Sequence, residues 1–237
     1  MRLIMLSLAF CAAIGQSVFA GGGLSDRDGR QVPGWEAVGR LNIAGLNMCT
    51  GALIAPDIVV TAAHCLFHPR TGREIDARKI EFNAGLYGTV STASRMVSRS
   101  VIHKDYRYRP AGKAQVGTDL AVLRLESPIS ISLIKPLQID ERPERGDAVG
   151  VLSYRVDRAT TPAVEEPCYV IARQADTVVM SCTVEFGASG SPVFIIERGS
   201  APRLVSVVTA KAVMGGKRVS ISTALAASVK QLLRRAG

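Results

Sequence analysis

Short runs rich in valine and isoleucine recur along this chain, and turns containing glycine, proline or aspartate separate them. The clearest run is Ile58–Thr61, because all its residues are β-branched and a Pro-Asp turn directly precedes it. Many short strands at such spacing are typical of an all-β sandwich or barrel. Further strands are predicted over 37–43, 48–53, 80–84, 94–102, 120–125, 148–154, 168–172, 177–182, 192–196 and 204–209.

The end of the chain departs from this pattern and predicts an α-helix. Either Ser222 or Thr223 can cap its first turn, and Arg234 and Arg235 suit the negative end of its dipole. Aliphatic side chains recur there at helical spacing, which gives the helix one apolar face. That face consists of Leu225, Val229, Leu232 and Leu233.

The beginning of the chain predicts a secretory signal peptide over 1–20. Arg2 gives a positive start, 3–14 form an apolar run, and a Val-Phe-Ala sequence ending at Ala20 fits a cleavage site. The run is too short to cross a membrane, and no later segment reaches the ~20 apolar residues that a span needs. We therefore expect a secreted or periplasmic protein, cleaved near Ala20, with no transmembrane segment. A flexible polar leader is predicted over 21–34 and a folded domain over 35–237.

The cysteines fit an exported protein. Removing a signal peptide that contains Cys11 leaves an even number of them, as expected in an oxidising compartment. Four cysteines permit three pairings. Pairing of sequence neighbours is favoured, because each disulfide then closes a loop of about fifteen residues, worth roughly 3 kcal/mol. The favoured pairs are Cys49 with Cys65 and Cys168 with Cys182.

Charge and ligand types narrow the possible partners. The net charge of +9 favours anionic surfaces such as a cell envelope or acidic peptides. Nucleic acid is not expected, because the chain carries no recognisable binding motif and is predicted to be exported. His64 and His68 have the spacing of a helical metal pair, but no third ligand is evident and Pro69 is adjacent. We therefore expect no metal.

Three separate segments carry residues that suit acyl-transfer chemistry. Ser189 lies between Gly187 and Gly190, an order that presents a hydroxyl beside two backbone N–H groups. His64 ends a Thr-Ala-Ala-His segment, and Asp119 begins an Asp-Leu-Ala-Val-Leu segment. Taken singly, these are equally a turn serine, a core histidine and a capping aspartate. Together, in the order His, Asp, Ser, they predict a catalytic triad.

Hydrolysis of an acyl bond needs a nucleophile, a base and donors for the oxyanion. Ser189 supplies the nucleophile, and His64 takes its proton and later returns it to the leaving group. Asp119 holds the imidazole in the required tautomer. The N–H groups of Gly187 and Ser189 are the predicted oxyanion hole.

Other nearby residues fit these roles less well. His103 lies among basic loop residues, and Ser191 is followed directly by Pro192. The Gly-x-Ser-x-Gly motif of α/β-hydrolases is absent here, because Ser191 occupies the position of its last glycine.

At these residues the sequence resembles the trypsin-like (chymotrypsin-fold) serine endopeptidases, and we assign it to a bacterial secreted branch. The resemblance implies two packed six-stranded antiparallel β-barrels, with the site in the cleft between them. It also implies hydrolysis of peptide or protein substrates through an acyl-enzyme, without a cofactor. The segments that carry the resemblance are 49–54, 61–65, 119–125 and 187–192, within a region from Trp35 to the terminal helix.

The chain departs from that family at three places. Ala188 stands where digestive members carry an aspartate that pairs with a newly freed amino terminus, so the sequence predicts no such activation. Thr183 stands where the resemblance places the aspartate that binds Lys or Arg, so cleavage after basic residues is not predicted. Lys211 stands where glycine is common in the family. The resemblance implies a pocket wall over 204–211 that includes Thr209 and Lys211, and the charge of Lys211 is either part of a basic mouth or a solvated loop charge.

Two alternatives to a peptidase stay open at this stage. One is a non-enzymatic protein that keeps a protease fold for binding anionic envelope or protein partners. The other is an esterase that uses the same triad on a different substrate.

Overall fold

The structure, a computed structural model, describes residues 27–109, 115–140, 143–195 and 202–236. These residues form fourteen strands and one α-helix. The predicted signal peptide, at 1–20, lies outside them. The elements are β1 (Arg27–Asp28), β2 (Val38–Ile43), β3 (Asn47–Ala55), β4 (Ile58–Thr61), β5 (Ile80–Ala84), β6 (Ala93–Ile102), β7 (Ala121–Leu125), β8 (Gln138–Ile139), β9 (Ala148–Arg155), β10 (Arg158–Gln174), β11 (Thr177–Met180), β12 (Pro192–Ile195), β13 (Arg203–Met214), β14 (Lys217–Ala224) and α1 (Ala226–Ala236).

The first half of the chain forms a closed antiparallel barrel. Its strands pair in the order β2-β3-β4-β7-β6-β5, and β2 closes it by pairing with both β3 and β5. Leu41, for example, lies opposite Cys49 on one side and Phe82 on the other. All of β4 is buried, which explains its uninterrupted run of β-branched residues.

The second half forms a six-stranded antiparallel barrel in the same way. Its ring is β9-β10-β11-β14-β13-β12, closed where β12 and β10 both pair with β9. Two short strands extend this sheet: β1 pairs with β10, and β8 pairs with β13 in the parallel direction. The interior is made mainly of valine, as expected for a chain with few aromatics. The predicted fold, two packed six-stranded barrels followed by a helix, is therefore confirmed.

Helix α1 joins the two halves. It follows the second barrel in sequence but packs against β6 and β7 of the first. Leu225, directly before the helix, and the buried Val229 and Leu232 within it lie in one apolar cluster with Val122 of the first barrel and Val207 of the second. The described residues contain no helix long and apolar enough to span a membrane.

Both favoured disulfides are confirmed. Cys49 of β3 is bonded to Cys65, with Cα atoms 6.3 Å apart, and Cys168 of β10 is bonded to Cys182, with Cα atoms 5.2 Å apart. The first bond ties the residue after His64 to the barrel wall.

The predicted start of the helix was wrong. Ser222 and Thr223 do not cap α1, because both are fully buried in β14. Ser222 Oγ lies 2.9 Å from Ser206 Oγ of β13, so a hydroxyl that suits a helix cap is instead buried and paired within a strand. Leu233, predicted on the apolar face, is 37% exposed.

Part of the predicted leader has regular structure. Arg27 and Asp28 pair with Val164 and Ala163 of β10, and Val32 is buried. These leader residues therefore pack on the second barrel.

Candidate active site

His64 lies in a short 3-10 turn that directly follows β4. Ala62 and Ala63 before it are fully buried, and so is Cys65 after it, so the turn is held by packing and by the disulfide. The His64 side chain itself is 28% exposed, which leaves its ring accessible from one side.

Asp119 lies at the end of another 3-10 turn, just before β7, and is fully buried. Its Oδ2 atom lies 2.7 Å from His64 Nδ1, and its Oδ1 accepts the backbone N–H of His64 at 2.8 Å. The carboxylate therefore fixes both the ring and the backbone of His64. Because Nδ1 faces Asp119, Nε2 is the ring nitrogen left to exchange a proton.

Ser189 lies in a loop whose carbonyls are held by neighbouring strands. The Phe186 carbonyl accepts Val156 N–H at 2.8 Å, and the Ser189 carbonyl accepts Thr50 N–H at 2.8 Å. In contrast, the N–H groups of Gly187 and Ser189 have no acceptor among the residues that the structure describes. Two backbone donors in this state are what an oxyanion hole requires.

The glycines beside Ser189 are needed for close approach. Gly187 has φ +96°, and a Cβ there would lie 3.0 Å from Arg155 Cα. Gly190 has φ +81°, and a Cβ there would lie 2.1 Å from both the Thr50 carbonyl and Thr61 Oγ1. The loop can therefore lie against β9 of the second barrel and against the first barrel only if these positions lack side chains.

A cleft of about 320 Å³ between the barrels brings the predicted residues together. His64 and Ser189 both line it, and Asp119 contacts His64 from behind. The hydrogen bonds among described residues do not include one between the Ser189 hydroxyl and His64. Such bonds often form only when substrate is bound. Other lining residues are Asn47, Met48, Val156, Phe186, Val208 and Lys211.

Two of the three predicted pocket residues line the cleft, and the third does not. Thr209 and Lys211 line the cleft, and Thr209 Oγ1 donates to the Ile221 carbonyl at 3.2 Å. Thr183 does not line it, and its N–H donates instead to the carboxylate of Glu165 at 2.9 Å.

The charges at the cleft mouth form a small cluster around Glu185. Lys211 Nζ lies 3.0 Å from one carboxylate oxygen of Glu185, and Arg218 Nη1 lies 2.8 Å from the other. The hydrogen bond from Lys211, helped by Arg218, holds the pKa of Glu185 below its ordinary value. Lys211 also lies 4.0 Å from the centre of the Phe186 ring. The predicted basic mouth therefore contains two cations that share one carboxylate.

The competing residues lie elsewhere. His103 is buried outside the cleft, and its Nδ1 accepts the N–H of Asp105 at 3.3 Å. Ser191 is fully buried. Cys49, His64 and Cys65 cluster closely enough to suggest metal ligands, but the two sulfurs are bonded to each other and offer no thiolate.

Sequence reasoning missed Thr50 as a contact of the nucleophile loop. Its hydroxyl lies 3.1 Å from the Gly187 carbonyl, although the two residues are 137 positions apart. No local sequence pattern indicates such a contact. The available signal was a polar residue within an otherwise small or apolar strand, β3.

Fold and site together define a trypsin-type serine protease scaffold, and the trypsin family model matches residues 26–232. The chain belongs to the trypsin family. It is 30% identical over 159 residues to trypsin epsilon of Drosophila erecta, covering 63% of this chain and 57% of that protein. It is 28% identical over 160 residues to hypodermin-B of Hypoderma lineatum, covering 63% of this chain and 58% of that protein.

The chain thus spans less than three fifths of the length of these curated relatives, 57% and 58%. Both are insect proteins, so they lend no support to the predicted bacterial branch.

Solved structures share the fold. A Glu endopeptidase in complex with MPD superposes with a TM-score of 0.72 at 17% identity, covering 90% of this chain and 95% of that one. Neuropsin from mouse brain superposes with a TM-score of 0.67 at 16% identity, covering 87% and 97%. At these identities the likeness shows the fold alone.

Proposed function

We propose that this protein is an exported serine endopeptidase that hydrolyses peptide bonds through an acyl-enzyme. The observation that carries the proposal is the pair of hydrogen bonds from Asp119 to His64, at a cleft that Ser189 also lines. Membership of the trypsin family supports the same reaction class.

In the acylation step, Ser189 Oγ attacks the carbonyl carbon of the substrate peptide while His64 Nε2 accepts the hydroxyl proton. Asp119 stabilises the resulting imidazolium through Nδ1. The carbonyl oxygen becomes an oxyanion and accepts hydrogen bonds from the N–H groups of Gly187 and Ser189. Each bond stabilises the transition state by roughly 3 kcal/mol. The C–N bond then breaks as His64 returns the proton to the leaving amine.

In the deacylation step, water takes the place of the amine. His64 accepts a proton from the water, whose oxygen attacks the acyl carbon, and the same backbone donors hold the second oxyanion. Collapse of this intermediate releases the carboxylic acid and returns the proton to Ser189. The cycle needs no redox or group-transfer partner beyond water.

The cleft mouth favours an acidic substrate side chain. Lys211 and Arg218 contribute two positive charges and Glu185 one negative charge, so the cluster keeps a positive surplus. A substrate carboxylate at Lys211 gains from that surplus, whereas a substrate cation is repelled by it. The role of Thr183 in substrate binding and the contact with anionic surfaces stay predictions of the sequence.

Digestion of casein and of matched peptide and ester substrates tests the function. We expect peptide cleavage by the native chain and none by Ser189→Ala. Ser191→Ala is the matched control, because Ser191 is fully buried and should leave cleavage unchanged. If the native chain hydrolyses esters but not peptides, the protein is an esterase. If the folded native chain hydrolyses neither, the result favours the non-enzymatic binding protein.

Export is the second part of the proposal. It is supported by the pattern of 1–20 and by the two disulfides, which need an oxidising compartment. Mass spectrometry of the exported protein should find a new amino terminus after Ala20. An intact Met1 on the exported protein would contradict this.

A further inference from the structure

The position directly before Ser189 carries no charged side chain. Ala188 is fully buried among apolar residues of the second barrel and cannot form an ion pair. The N–H of Gly187 nevertheless has to point into the cleft if it is to bind an oxyanion. Another group must therefore hold the peptides on either side of Gly187.

Thr50 of β3 is placed to do this. It is fully buried, and its Oγ1 lies 3.1 Å from the Gly187 carbonyl and 3.2 Å from the Tyr154 carbonyl. The same oxygen accepts the N–H of Tyr154 at 3.0 Å, so its single proton is shared between the two carbonyls. The backbone N–H of Thr50 also donates to the Ser189 carbonyl at 2.8 Å.

The neighbouring peptide is held by the end of β9. Val156 N–H donates to the Phe186 carbonyl at 2.8 Å, and in a trans peptide the Gly187 N–H points away from that carbonyl. Val156 is two residues after Tyr154. The Thr50 hydroxyl accepts the N–H of Tyr154 and donates to its carbonyl. The Thr50 hydroxyl thus connects the loop to the end of β9, and the residue after β9 orients the N–H of Gly187.

We propose that the Thr50 hydroxyl is a positioning group for the oxyanion hole. Thr50 does not touch the substrate; it acts through Gly187 and Tyr154. This inference rests on the proposed endopeptidase function and adds a residue to it.

Thr50→Val, which keeps the shape and removes the hydroxyl, tests the inference. We expect kcat to fall by roughly tenfold to a hundredfold, somewhat less than the 10²–10³ that loss of an oxyanion donor costs. KM should change by less than about threefold, because the lost interaction belongs to the transition state. Affinity for a peptide aldehyde, whose adduct places an oxyanion in the hole, should fall by the same factor as kcat. Thr50→Ser, which retains the hydroxyl, should restore both.

Ser206→Ala is the control for loss of a buried hydroxyl. Ser206 of β13 is also fully buried, and its hydroxyl lies 2.9 Å from that of Ser222, so it bonds neither the loop nor Thr50. Both variants lose a buried hydroxyl, so both should lose thermal stability, whereas only Thr50→Val should lose kcat. If Thr50→Val does not fold, Thr50→Ala and Thr50→Ser replace it as the pair compared.

Equal kcat values for Thr50→Val and Ser206→Ala, or for Thr50→Ala and Thr50→Ser, would overturn the inference while leaving the endopeptidase proposal intact. Failure of the native chain to cleave peptides would instead refute the proposed function. The two failures are therefore distinguishable.

Discussion

The Asp119 carboxylate holds His64 at two points, with Oδ2 2.7 Å from the ring Nδ1 and Oδ1 2.8 Å from the backbone nitrogen. Because Asp119 is fully buried, water does not compete for these bonds. A residue held at both ring and backbone has little freedom to change tautomer or rotamer.

The first prediction concerns this pair. Asp119→Asn should keep the fold and lower kcat by about 10⁴, because an amide can favour the wrong imidazole tautomer. Steady-state kinetics with a peptide substrate measures this. Asp105→Asn is the control, since that exposed carboxylate pairs with Lys104 and should be neutral for kcat. A loss of less than tenfold in Asp119→Asn would argue against Asp119 as the orienting group.

The second prediction concerns the cleft mouth. Lys211→Gln should lower kcat/KM for peptides carrying glutamate, relative to the same peptides with glutamine, by roughly twofold to fivefold, as partly exposed ion pairs are weak. Lys217→Gln, an exposed position on the same hairpin outside the cleft, should leave the ratio unchanged. An unchanged ratio in Lys211→Gln would show that its charge is only a solvated loop charge.

The third prediction concerns Gly190. Gly190→Ala should abolish activity and strongly destabilise the protein, because its Cβ would lie 2.1 Å from the Thr50 carbonyl. Gly88→Ala is the control: its φ is also positive, at +63°, but no atom lies within 4 Å of the added Cβ. That variant should cost only the backbone strain of about 1–2 kcal/mol. Thermal unfolding of both variants measures the difference, and similar losses would contradict the close approach.

The fourth prediction concerns acid stability. Burial lowers the pKa of His103 below its ordinary value of 6.5, the nearby Lys104 and Arg235 act in the same direction, and Asp105 and Asp176 oppose them. The folded state therefore binds fewer protons than the unfolded chain, so stability should fall as pH drops below about 6.5 and level off below the folded pKa. His103→Gln should reduce this part of the decline in melting temperature with pH. An identical decline in both proteins would contradict it.

The all-β class and the disulfides could be predicted because they depend on local patterns, whereas the two six-stranded barrels were predicted from the family resemblance. β4 is an unbroken β-branched run, and Cys49–Cys65 and Cys168–Cys182 each close short loops. β14 was missed and its residues were assigned to a helix cap, because its buried Ser222 is satisfied by Ser206 across the sheet. Whether these residues form a strand depends on pairing with β13 and β11, which the sequence of 217–224 alone does not show.

In the candidate site, too, local sequence patterns predicted some residues and missed contacts between residues far apart in the chain. His64, Asp119 and Ser189 stand in recognisable local segments, and folding brings His64 against Asp119 at the cleft that Ser189 lines. The Glu185 cluster and the Thr50 bonds join residues 26 to 137 positions apart, so neighbouring sequence does not reveal them. The catalytic roles of His64, Asp119 and Ser189 and the positioning role of Thr50 are proposals that the experiments above test.

The most direct measurement is covalent labelling with a fluorophosphonate probe, followed by identification of the modified peptide. Our account predicts a single phosphonylated residue, Ser189, and loss of labelling in both Ser189→Ala and His64→Ala. A folded native chain that stays unlabelled, or one labelled with equal speed after His64→Ala, would contradict the account.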